Sequence, residues 1–136
     1  MRLPSLERDF WELASGEELH AQHPETFHLP TRENRDNLKR GDAAKLIFII
    51  EGIEENGSTD QAGERIFVIV AEKVGDCYIG ILDDQPALIE VTDETYLRFG
   101  AEIPFLAEHV IEIAEPPQKY VDWQLSIPPE RIWPRD

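Results

Sequence analysis

Four groups of residues carry atoms suited to chemistry: His20, His23 and His28; the thiol of Cys77; the carboxylates Asp83-Asp84 with Glu90 downstream; and the charged pair Glu64-Arg65. His20 and His23 would share a face if their segment were helical, as a metal site requires. Pro24 interrupts that segment, no cysteine lies nearby and Glu25 is the only close carboxylate, so these read as exposed loop histidines and no metal is expected. His109 falls in an alternating stretch and reads as a packed or hydrogen-bonded strand residue. A reactive cysteine needs a cation or a helix N-terminus to lower its pKa. Cys77 follows a Gly-Asp turn with neither, and reads as a small half-buried apolar residue. Asp83, Asp84 and Glu90 could act as acid and base only with shifted pKa values, which adjacent exposed carboxylates in a turn seldom have. Glu64-Arg65 heads the most apolar run of the chain. Successive strand residues face opposite sides, so one of the two is turned toward a covered face, and a structural ion pair is expected there. No Gly-x-Ser-x-Gly elbow, glycine-rich phosphate loop or His-Glu-x-x-His motif occurs. The expectation is a non-catalytic protein without a cofactor.

Charge narrows the partners. Thirteen Lys/Arg face 28 Asp/Glu, a net charge of −15, so phosphate backbones and anionic membrane surfaces repel the chain. The imbalance is local. Asp76, Asp83, Asp84, Glu90, Asp93, Glu94, Glu102, Glu108, Glu112 and Glu115 meet only Arg98 in their stretch, whereas Arg32, Arg35, Lys39, Arg40 and Lys45 outnumber Glu33, Asp36 and Asp42. A basic protein is the partner this pattern favours. No run approaches the ~20 apolar residues of a membrane helix. The N-terminus lacks the apolar core of a signal peptide and the lone Cys77 cannot form an internal disulfide, so a cytoplasmic location is expected.

The elements that would position these groups read as one domain in three parts. Residues 1–41 are helical: Ser5 caps a helix bearing Leu6, Phe10 and Leu13 that Gly16 stops, Ser15 caps a further turn, and Thr31 caps a helix to Leu38 before Gly41. Residues 42–115 form a barrel-like core. Strands are expected at Ala43–Glu51, Glu64–Lys73, Cys77–Leu82, Ala87–Val91, Glu102–Phe105 and Glu108–Ile113, with an exposed loop over Gly52–Gly63 turning at Asn56-Gly57, and a helical turn at Asp93–Leu97. Gly80 inside a strand marks a bulge or a close backbone approach, and Pro104 an edge strand or a bend. Residues 116–136 form a proline-rich tail that runs extended and buries Trp123 and Trp133 on the domain. The fold class is α+β: a strongly bent antiparallel sheet or SH3-like barrel of five or six strands, with N-terminal helices packed on it.

Within residues 38–113, Glu64-Arg-Ile-Phe-Val-Ile-Val70, Gly80-Ile-Leu-Asp-Asp-Gln-Pro86, Leu97-Arg-Phe-Gly-Ala-Glu-Ile-Pro-Phe105 and His109-Val110 follow in order. This set resembles an uncharacterised bacterial family of small barrel proteins, whose pattern is a Glu-Arg before an aromatic-Val strand, a Gly-x-Leu-Asp/Asn-x-x-Pro turn and a Leu-x-x-Gly-Asp lead into a final strand. Ala101 departs from that pattern, although Asp42 supplies the aspartate after Gly41. The wider relatives of the family include immunity proteins that neutralise secreted bacterial toxins. The resemblance implies a barrel in which Glu64, Arg65, Gly80, Asp83, Pro86 and Gly100 are structural, and an immunity-type function. Asp83, Asp84, Glu90, Asp93 and Glu94 are then the expected partner-binding face. The alternative expectation is a small-molecule or enzymatic pocket between the helices and the barrel, lined by Trp11, Tyr78 or Trp123.

Overall fold

The computed structural model describes residues 1–53 and 55–136. Its centre is a long hairpin of β2 (Ala43–Ile53) and β3 (Thr59–Val74), paired from Ala43↔Ile69 out to Ile53↔Thr59. Runs of Ile, Val, Leu and Phe favour extended backbone because their side chains pack on a pleated surface. The polar stretch 52–63, expected to be a loop, is instead mostly the distal end of this hairpin, because ladder hydrogen bonds need no apolar side chains. Only the turn is as expected: Gly57 adopts φ +85° and the Asn56 carboxamide accepts from the Ser58 N–H at 2.9 Å. Glu54, within the expected loop, lies outside the described residues.

Gly75, at φ +61°, turns the chain into β4 (Cys77–Leu82), which pairs with β3. The register slips by one between Val70 and Glu72, so Ala71 is bulged opposite Gly80-Ile79. A Cβ on Gly80 would lie 2.5 Å from Val68 Cγ2 and 3.2 Å from Phe105 Cε1. Bulge and glycine together let the sheet curl. β5 (Glu102–Phe105) is the outer strand beyond β4, which leaves Pro104 at an edge as expected. On the other side, β2 is shared by β6 (Glu112–Ala114) at Ala43–Lys45 and by β1 (Trp11–Leu13) at Phe48–Ile50. The fold is α+β, a strongly curled antiparallel half-barrel with a few short helices, as the sequence predicts.

Several elements differ from expectation, each for a tertiary reason. α1 (Leu6–Asp9) is capped by Ser5 but ends at Phe10, which turns left-handed at φ 66° so that Trp11–Leu13 can join β2. The helical spacing of Leu6, Phe10 and Leu13 is misleading, since Phe10 is exposed and Trp11 is the buried anchor. Gly16 opens α2 (Gly16–Gln22) rather than ending a helix; a Cβ there would meet Ile111 Cγ2 at 3.0 Å. α3 (Arg32–Asp36), capped by Thr31, stops before Leu38. Neither the Ala87–Val91 strand nor the Asp93–Leu97 helical turn forms, because side chains take up the backbone groups of that segment. Glu108–Ile113 is not one strand: Ala107–His109 is a turn of 3-10 helix, on which His109 Nδ1 accepts the Leu106 N–H at 2.9 Å, and β6 follows. The tail is not extended throughout, for Gln118–Ser126 forms α4, which leaves Trp123 exposed while Trp133 is buried.

The concave face holds the main core, with Leu46, Phe48, Val68, Tyr78, Ile103 and Phe105 closed over by Trp11, Leu97 and Trp133. The Trp11 ring stacks on Tyr96 at 6.1 Å, and Trp133 meets both edge-on at 5.7 and 5.3 Å. A smaller core lies outside the sheet, where Val121 of α4 covers Ala43 and Ile69. Gly80→Ala is expected to destabilise the protein by about 1–3 kcal/mol through overpacking, and Val68→Ala in the same chain to return part of that loss; urea denaturation measures both. An unchanged midpoint in Gly80→Ala would show that the close approach does not constrain the fold.

Candidate functional site

The chain crosses from β4 to β5 through Asp83–Ala101, held by side chains of its own and by Glu64 and Arg131 from elsewhere. The Glu64 carboxylate accepts the Ala87 N–H at 2.9 Å and the Leu88 N–H at 3.3 Å. Gln85 Oε1 accepts from Phe99 N–H at 3.2 Å, and the Tyr96 hydroxyl donates to Glu102 O at 2.7 Å. Arg98 donates to the carbonyls of Thr95 and Thr92, and Arg131 donates to Asp93 O at 2.7 Å. Both nearby bases therefore hold backbone. Asp84, Glu90, Asp93 and Glu94 stay exposed, and none has an ion-pair partner among the described residues. Exposed Leu88, Val91 and Phe99 lie between and beyond these acids.

Asp83 is separate from that face. Its half-buried carboxylate accepts the Tyr120 hydroxyl, tying the end of β4 to α4. Burial raises the Asp83 carboxyl pKa and the Asp84 charge adds to this, against the opposing effect of the Tyr120 hydrogen bond. The Tyr120 phenol is pushed up to about 12 by burial and by Asp83. Asp83 is thus a strut between two elements.

The other motif positions are structural in ways spacing did not reveal. The structural ion pair expected at one of Glu64 and Arg65 does not form among the described residues: Glu64 takes two backbone N–H groups, while exposed Arg65 needs no buried partner and places its guanidinium 5.6 Å from the Phe27 ring. Pro86 is buried. Gly100 adopts φ +89° and its carbonyl accepts the Glu130 N–H at 3.0 Å; a Cβ there would lie 2.9 Å from Glu130 Cγ. Gly80 permits the curl described above.

The remaining chemistry-bearing residues do not converge. His20 Nδ1 contacts Phe27 O at 2.6 Å, and no cluster of three His, Cys, Asp or Glu side chains suited to a metal occurs among the described residues. Cys77 is buried, and burial raises its thiol pKa. Burial lowers the His109 pKa, and its ring accepts a backbone N–H. Of the three residues expected to line a pocket, Trp11 lies in the core and Trp123 is exposed, while the largely buried Tyr78 borders a polar groove with Glu17, Arg32, Asp36 and Lys73 between the helices and the sheet. An open groove of about 680 Å³ does run between α3 and β6, lined by Leu29, Asn34, Leu38, Ile111 and Ile113 among others.

One cluster escaped the sequence reading. Glu102, 7% exposed, accepts the Trp133 N–H at 2.9 Å and Arg135 at 2.8 and 3.0 Å; Arg135 also reaches Glu72 at 2.6 Å. Hydrogen bonding to Glu102 raises the Arg135 pKa. The only signal was an acid in an apolar strand, which must find a cation somewhere.

The fold and its face define an α+β half-barrel carrying a clamped, acidic connection. No family model matches the sequence, and no curated protein or solved structure is significantly similar to it. Among the described residues no helix is long and apolar enough to cross a membrane.

Because the folded pKa of Asp83 lies above its unfolded value near 3.9, ionising it in the fold lowers stability. That loss is absent below pH ~4 and develops as pH rises through the higher folded value. Asn keeps an acceptor for Tyr120 without the charge. Asp83→Asn is therefore expected to match wild type at pH 3 and to melt on the order of 2 °C higher at pH 7, the size being limited by solvent screening of a half-exposed group. A lower melting temperature at pH 7 would contradict the assignment.

Proposed function

We propose that this protein is a non-catalytic binding module whose acidic face docks on a basic protein; its resemblance to the small-barrel family adds that the partner is of the toxin kind that immunity proteins neutralise. The observation that carries the reading is the disposition of Arg98 and Arg131. Both bases reach carbonyl oxygens, which leaves Asp84, Glu90, Asp93 and Glu94 without ion-pair partners among the described residues, on a segment anchored at both ends. A clamped segment loses little freedom on docking, and that raises affinity. The net charge of −15 steers a basic protein toward the face and repels nucleic acid. Leu88, Val91 and Phe99 supply apolar contact at the centre of such an interface. Asp83, held by Tyr120, is left out of the face.

The test is capture of a partner from bacterial lysate, followed by kinetics at two ionic strengths. Association is expected to slow about ten-fold or more between 0.05 and 0.5 M NaCl. The combined variant Asp84→Asn, Glu90→Gln, Asp93→Asn, Glu94→Gln is expected to weaken binding by a similar factor without lowering the melting temperature. Binding indifferent to both salt and this variant rules the reading out.

A further inference from the structure

In an antiparallel ladder the backbone groups of successive residues point alternately to the two neighbouring strands. The Val70 N–H donates to Asp42 O at 2.8 Å, so Val70 faces β2, and at the same parity so do residues 68, 66, 64, 62 and 60 of β3. Residues 69, 67, 65, 63 and 61 face the other way. Two observations agree: β4 pairs Ile69 with Ile81, and Phe67 O accepts the Asp83 N–H at 3.0 Å. There β4 ends and the chain turns away. Beyond Phe67 the outward edge of β3 carries Arg65, Gly63 and Gln61. Among the described residues only the Gln61 N–H of these has a partner, the adjacent Asp60 carboxylate at 2.9 Å. Residues 59–63 are all exposed, and Arg65 is exposed too.

Natural edge strands are blunted by lysine, proline or a bulge, because an open edge is a template for another strand. Thr59-Asp-Gln-Ala-Gly63 has none of these, and its pairing with β2 is regular. Charge decides what pairs with it. Asp60 and Glu64 flank the open positions, and exposed Asp84 lies just past the end of β4. A second copy of this chain carries the same net charge of −15 and is repelled, and registers centred on Ala62 or Glu64 would also set acid opposite acid.

We infer that the open edge of β3 at Gln61, Gly63 and Arg65 receives an extended, basic segment of the partner as an added strand in line with β4. This rests on the basic-partner reading and specifies its mode: main-chain hydrogen bonds to the edge, with lysine or arginine side chains reaching Asp60 and the acidic connection. The added strand extends the sheet over residues that otherwise have a partner on one side only.

The test uses the full isotope-labelled protein and a nine-residue synthetic peptide of alternating lysine and valine. The expected result is salt-sensitive binding with at least ten-fold slower hydrogen exchange at the Gly63 and Arg65 amides. Gly63→Pro removes an outward N–H while sparing the β2 pairs, and a Cβ at this position would meet only Ile49 and Ile47, at 3.6 and 3.7 Å. It is expected to weaken the peptide about ten-fold; Arg65→Pro serves as the second variant should the first fail to fold. Salt-sensitive binding that perturbs residues 84–94 but leaves Gly63 and Arg65 unprotected overturns strand addition and spares the basic-partner reading. No binding at low salt overturns both.

Discussion

A carboxylate taken out of water must find positive charge and donors, or the fold cannot hold it. Glu102 is that carboxylate here. Its demand brings the end of the chain back across the sheet, with the Trp133 N–H on one oxygen and Arg135 bridging both oxygens to Glu72. The same docking places the Trp133 ring edge-on to the stacked Trp11 and Tyr96, with its Nε1–H on Arg2 O and the Arg2 guanidinium 4.4 Å above it. Both ends of the chain thus meet at one end of the half-barrel. Just before Trp133, Glu130 and Arg131 bond to Gly100 and Asp93. From one buried charge the dependence runs through the tail to the acidic connection.

What the sequence made legible is what local chemistry decides. β2, β3, β4 and β5 follow from β-branched runs between glycine turns, and Ser5, Ser15 and Thr31 are caps where their spacing placed them. Gly80 was readable because an interior strand glycine implies close approach, and Val68 is what approaches. What stayed hidden depends on distant partners. Trp11–Leu13 is a strand only because β2 offers an edge, and Ala87–Val91 is not one because Glu64 takes up the Ala87 and Leu88 N–H groups and the Thr95 hydroxyl donates to Glu90 O. The exposed acids could be counted from the sequence, but Asp83 could not be separated from them, since Tyr120 lies 37 residues away. That Glu64 and Arg65 face opposite sides was readable from their adjacency in a strand, but not that backbone N–H groups of a distant segment, rather than a cation, would occupy the Glu64 carboxylate.

Among the described residues the basic segment and the acidic half share a single ion pair, so little of either charge is neutralised across the fold. Arg32 and Arg35 pair with Glu17, while Lys45–Glu112 at 3.3 Å joins the two regions. The excess of acid is therefore left facing solvent, and a fixed excess is one that a partner can recognise without first ordering it.

The acidic connection is already fixed in the free protein. Backbone amide relaxation over Asp84–Glu94 tests it most directly. Order parameters near 0.8, like those of the strands, are expected there, whereas values below about 0.6 would mean a flexible segment and rule out a preformed face.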